Sequence, residues 1–183
     1  MMTIIPEEGM NIEALQTKYP IIDWEVYTEE TRRYWKITRV VGYTEVYQTF
    51  VDMLKGFDRD DLDKLWDLVK EIFSSMNPTQ DKEIELWVEL KRLYEPDSTD
   101  ELWESQKHIH QRIFEWKLYE SCGVHHIYTD TGIDIYMLVE KDYPLTKGVL
   151  ILMLVNKLTV GQHSEMANRL LQKIFIQAER PRK

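Results

Sequence analysis

At 183 residues and 43% hydrophobic, the chain can bury one substantial core and is short for two full domains. Its 32 acidic residues against 23 basic ones give a net charge of −9, which opposes binding to a phosphate backbone, where affinity comes from Lys and Arg displacing counterions. A lone cysteine excludes an internal disulfide and fits a reducing, intracellular compartment, cytoplasmic or nuclear, and the longest apolar run, 149–155, falls far short of the roughly twenty residues that cross a bilayer.

The expected organisation is a lead-in over 1–20, one domain over 21–180 and a short basic tail over 181–183. The N-terminus lacks the basic start and apolar core of a secretory signal, and 11–18 offers one weak helical turn before Pro20. Trp24, Val26 and Thr28 alternate with Glu25 and Tyr27, and 34–41 alternates again after a polar turn, which predicts a first hairpin. A helix is predicted over 44–54, closed by Gly56. Asp58 then caps a second helix, whose Leu62, Leu65, Trp66, Val69 and Phe73 form one apolar stripe. Asn77-Pro78 breaks that helix, and a third carries Leu86, Trp87, Leu90, Leu93 and Tyr94 inward until Pro96. Ser98 with Glu101 predicts a capping box for a run to about 108.

Strands follow over 113–119, 124–129 and 133–139, the last apolar on both sides as in an interior strand, with a short Gly-containing turn before it. Helices over 145–158 and 164–178 close the chain. Grouped rather than alternating elements predict an α+β fold: an antiparallel sheet of about five strands, two N-terminal and three central, with helices packed on it. Trp35, Trp66, Trp87 and Trp116 all fall at inward positions and are expected in the core.

Three constellations carry possible chemistry. Asp130-Thr131-Gly132 resembles the triplet of aspartic proteases, whose paired carboxylates share one proton, yet no second copy is present and the triplet equally suits a hairpin turn. Cys122 with His125 and His126, or with His108 and His110, has residue types that bind zinc, but adjacent strand histidines point to opposite faces and no repeated Cys-x-x-Cys frame exists. Asp58, Asp60, Asp61 and Asp63 resemble a metal-binding acidic cluster, and a helix N-terminus explains them more simply. No phosphate loop, nucleophile elbow or zinc-protease motif occurs, and no cofactor is implied. The catalytic and metal assignments are therefore none, with Asp130 as the alternative catalytic residue and Cys122, His125 and His126 as the alternative ligands.

The run Trp116-Lys117-Leu118-Tyr119-Glu120-Ser121-Cys122-Gly123-Val124-His125, with Asp134-Ile135-Tyr136-Met137-Leu138-Val139 and Glu140-Lys141-Asp142-Tyr143-Pro144-Leu145, resembles a domain of plant LTR-retrotransposon polyproteins of the Ty1/copia type. Phe57-Asp58-Arg59-Asp60-Asp61-Leu62, Leu86-Trp87-Val88-Glu89-Leu90-Lys91 and Tyr34-Trp35-Lys36-Ile37 extend the likeness over about residues 20 to 180. The resemblance implies a segment outside the protease, integrase, reverse-transcriptase and RNase H regions, and it supplies no site residues. Reverse transcription would belong to the parent polyprotein. The expected function is a non-enzymatic accessory or protein-interaction domain, meeting its own copies or other polyprotein segments and neither membrane nor nucleic acid. The alternative is a fragment of a retroelement enzyme, a degenerate aspartic protease or a nucleic-acid-processing module.

Overall fold

Alternating apolar residues make β1 (Ile21–Glu29) and β2 (Arg32–Arg39) an antiparallel hairpin that pairs Trp24 with Ile37 and Val26 with Trp35. A computed structural model describes residues 19–106, 113–161 and 164–181. The helical turn expected over 11–18 lies outside them. The chain divides into two compact units, Met1–Trp87 and Val88–Lys183.

In the first unit the helix expected over 44–54 is replaced by a strand and a shorter helix. Val41 and Gly42, at φ of 75° and 82°, fold the chain back after Arg39. Thr44–Tyr47 thereby lies beside β2 as β3, pairing Tyr47 with Trp35 and Glu45 with Ile37. Thr, Val and Tyr suit that half-buried pleated position. Helix α1 (Phe50–Gly56) begins only at Thr49, whose hydroxyl accepts from the Asp52 amide at 3.1 Å. Helix α2 (Arg59–Ser75) starts from a reciprocal capping box: Asp58 accepts from the Asp61 amide at 2.8 Å and Asp61 from the Asp58 amide at 3.3 Å. Its stripe of Leu62, Leu65, Trp66 and Val69 is buried, with α2 packed on β1 and α1 on β3.

Arg39 ends β2 with no exposure to solvent. Its guanidinium donates to both carboxylate oxygens of Asp61 at 2.7 and 3.0 Å, to Glu45 at 3.0 Å and to the Tyr19 carbonyl at 3.1 Å. Tyr47 donates its hydroxyl to Glu45, and burial together with that carboxylate pushes the phenol pKa up. Burial works against the Arg39 charge, but the hydrogen bonds to Asp61 and Glu45 outweigh it and raise its pKa. Burial pushes the Asp61 carboxyl up against the pull of Arg39.

Helix α3 (Asp81–Tyr94) contains the division between the units. In the second unit α4 (Glu101–Ser105) is capped by Asp100, not Ser98, because Asp100 accepts from the Leu102 amide at 2.9 Å while also pairing with Arg92 at 2.9 Å. Positions 107 and 108 of the run expected to 108 lie outside the described residues. Strands β4 (Ile113–Tyr119), β5 (Val124–Thr129) and β6 (Asp134–Leu138) form an antiparallel sheet in the order β4-β5-β6. The interior strand is thus β5, and the one expected there, over 133–139, lies at an edge. That edge is closed by Tyr143, whose hydroxyl accepts from the Leu138 amide at 2.8 Å and donates to the Leu93 carbonyl at 2.6 Å. The β4 edge is covered by Thr159, which exchanges backbone hydrogen bonds with Leu118 at 3.1 Å and Trp116 at 2.7 Å.

Trp116, Ile127, Ile135 and Met137 on one face of this sheet share a core with α5 (Lys147–Val155) and α6 (Glu165–Glu179). Those helices begin at Thr146 and Ser164, whose hydroxyls accept from amides three residues on. The described residues are therefore α+β, with six α-helices and two three-stranded antiparallel sheets. The single sheet of about five strands is not formed, because β2 takes β3 as its second neighbour and β5 takes β4 and β6. Trp35, Trp66 and Trp116 are buried as expected; Trp87 is half-buried, its ring stacked with Trp66 at 5.4 Å and Phe73 at 4.7 Å. Among the described residues no helix is long and apolar enough to cross a membrane.

Replacing Arg39 by Met leaves the buried Asp61 and the half-buried Glu45 carboxylates beside an apolar side chain. Urea unfolding of Arg39→Met should show a loss of about 3–5 kcal/mol. A loss under about 1 kcal/mol, the range of solvent-screened surface pairs, contradicts the role given to this network.

Candidate functional site

The residues singled out for chemistry gather around β5 and are used locally. Strand alternation puts His125 on the face shared with Leu118 and Met137, and His126 on the opposite face with Lys117 and Tyr136. His125 is 2% exposed, and its Nδ1 accepts the indole N–H of Trp116 at 3.0 Å. That bond assigns the ring proton to Nε2. Burial, helped by the charges of Lys173 and His126, pushes the His125 pKa down to about 3. The imidazole is neutral at physiological pH and serves as the partner of a buried indole. A cavity of about 10 Å³ lined in part by His125, Met137, Tyr143 and Lys173 has room for one water at most.

On the other face the Nε2 of His126 lies 2.6 Å from Asp134 Oδ1, and its ring stacks on Tyr136 with centroids 4.4 Å apart. Cys122 is buried in the turn between β4 and β5. There the Gly123 amide bonds the Tyr119 carbonyl at 2.9 Å, Gly123 has a φ of 65°, and the Cys122 thiol donates to the same carbonyl at 3.7 Å.

Asp130 is exposed in the turn between β5 and β6. Gly132, at a φ of 80°, bonds back to the Thr129 carbonyl at 3.0 Å, and the Thr129 hydroxyl accepts the Ile133 amide at 3.1 Å. The two histidines thus sit on opposite sides of one sheet, and Cys122 and Asp130 occupy its two separate turns. Among the described residues, no group of three or more His, Cys, Asp and Glu is arranged to hold a metal. His108 and His110 lie outside those residues. The acidic run at 58–63 forms the start of α2, with Asp58 and Asp61 held by the capping box and Asp61 also by Arg39.

The sequence reading passed over the outer face of α5 and α6. Val149, Leu150 and Met153 turn inward from α5, leaving Ile151 and Val155 outside, the latter 76% exposed. Leu170, Ile174 and Ala178 are the buried stripe of α6, while Phe175 and Ile176 are more than half exposed. Leu154 of α5 and Leu171, Gln172, Phe175 and Ile176 of α6 line a groove of about 420 Å³. Its floor is apolar, with one amide. The signal was present in 149–155, where seven apolar residues in a row form a helix that is apolar on every side. One neighbouring core can cover only part of such a helix.

Comparison of the chain with protein-family models, with curated proteins and with solved structures returned no match.

The depressed pKa of His125 sets a pH dependence. The unfolded imidazole takes up a proton near pH 6.5 and the folded one only near 3, so this contribution to stability is complete above 6.5 and is lost as pH falls through that window. The slope approaches about 1.4 kcal/mol per pH unit. In His125→Asn, which keeps an acceptor for Trp116, stability measured by urea unfolding between pH 6.5 and pH 5 should lose this slope. An unchanged slope contradicts the assignment.

Proposed function

We propose that this chain is a non-enzymatic protein-interaction domain of a retrotransposon polyprotein and that it acts through the groove on α5 and α6. The groove carries the reading. Contiguous exposed apolar side chains around a concavity mark interaction sites, whereas scattered ones are ordinary. Phe175 supplies the kind of aromatic anchor that concentrates binding energy at protein interfaces. The likeness of Trp116 to His125, and of Asp134 to Leu145, to Ty1/copia-type polyproteins supports the retroelement context, in which an interaction segment works beside separate enzymatic regions.

The enzyme alternative has less support. Asp130 is exposed at a turn, and the buried His125 spends its lone pair on Trp116. Neither is placed beside a nucleophile or a second carboxylate in the hydrogen bonds described above.

Two measurements test the reading. The purified chain should bind neither single-stranded nor duplex nucleic acid at moderate salt; tight binding that weakens steeply with salt overturns it. Phe175→Ser, at a half-exposed position, should leave stability within about 0.5 kcal/mol while reducing fluorescence of an apolar surface dye. Unchanged dye fluorescence would show that the groove is not an accessible apolar surface.

A further inference from the structure

The apolar surface outside α5 and α6 has two complementary parts. Leu154 lines the groove, whereas Ile151 and Val155, one turn apart on α5, stand outside its lining as an exposed ridge. A ridge and a concavity of like chemistry on one face are what a twofold contact requires, since each copy then offers what the other accepts.

The areas agree with such a contact. Ile151, Val155, Leu171, Phe175 and Ile176 each leave more than a third of their surface in water. At roughly 100 Å² apiece they expose about 500 Å² of apolar surface, and a standard contact takes about 800 Å² from each partner, about 65% of it apolar in homodimers.

Charge does not oppose it. Helix α6 holds Glu165, Arg169, Lys173 and Glu179 and is neutral overall. Arg169 pairs with Glu165, and Lys173 donates to the Val139 and Lys141 carbonyls, so α6 offers an acidic partner or a lipid headgroup no unengaged cation. Lys157, two residues beyond α5, and Glu179, one turn beyond Phe175, are both exposed. Neither has an ion pair among the described residues.

Resting on the interaction reading above, we infer that the occupant of the groove is a second copy of this chain. Ile151 and Val155 of each copy enter the groove of the other, among Leu154, Leu171, Phe175 and Ile176, and Lys157 of each lies toward Glu179 of the other. Both contacts occur twice.

The test is sedimentation of the full chain. A monomer–dimer equilibrium with a Kd at or below about 10 µM is expected, because contacts of this size range from micromolar to picomolar. Val155→Ser on the ridge and Phe175→Ser in the groove should each weaken the dimer at least about tenfold with an unchanged melting curve. Lys157→Glu and Glu179→Lys should each weaken it as well, since each sets like charges together twice. Mixed one to one, those two variants should recover the dimer, because both contacts then join opposite charges.

Apolar-dye fluorescence separates this inference from the reading on which it rests. The groove is open in dilute protein, and fluorescence per chain should fall as concentration passes through the dimer range. A chain still monomeric at about 100 µM, with dye binding that Phe175→Ser reduces, overturns the second copy and leaves the interaction face standing. A dimer indifferent to both serine variants overturns the inference, as does failure of the mixed charge variants to recover it. A monomer that instead binds a designed leucine-striped helical peptide, or vesicles of phosphatidylcholine with about 30% phosphatidylserine, gives the groove to another protein or to a membrane and also overturns it. Dye binding insensitive to Phe175→Ser overturns both.

Discussion

Taking Arg39 out of water sets the terms for the unit that contains it. A guanidinium with no solvent exposure needs acceptors in fixed directions, and they come from Asp61 at the start of α2, Glu45 on β3 and the Tyr19 carbonyl ahead of β1. One side chain thereby fixes where β3 lies beside β2 and where α2 begins. The dependence runs further, because Tyr47 must reach Glu45 and so occupies the space beside Gly56. A Cβ on residue 56 would stand 2.6 Å from the Tyr47 hydroxyl. Glycine at the end of α1 is thus a steric consequence of a buried charge on β2. Such a network contributes less to net stability than to the choice of one arrangement, since an alternative register would strand the charge.

The parts of the fold that were legible depend on residues close in sequence. The apolar stripe of α2, its Asp58 cap and the alternation of the first hairpin all state their structure locally. The strand β3 does not. Its four residues are too few to show a period, and what makes them a strand is a reversal at Val41 and Gly42 that no helix or strand pattern announces. Placing 133–139 in the sheet interior failed for a related reason. Apolar residues on both faces say that a strand is covered above and below, not that it has two hydrogen-bonded neighbours. Tyr143 and the distant Leu93 carbonyl close the β6 edge instead.

The candidate site divides in the same way. A Gly-containing turn at Asp130 and the opposite facing of His125 and His126 follow from strand period and glycine chemistry. The task of His125 does not, because its indole partner is set by the register between β4 and β5. An isolated histidine offers catalysis, metal binding and structural acceptance as equal options. The Trp116 contact, joined to full burial, selects the last.

Helix α5 presents the opposite problem, an excess of apolar surface rather than a scarcity of partners. It is nine residues long, Lys147 is its only charge, and the sheet and α6 bury just one side of it. Leaving Ile151 and Val155 in water gains nothing for folding, and polar residues there would serve stability and solubility as well or better.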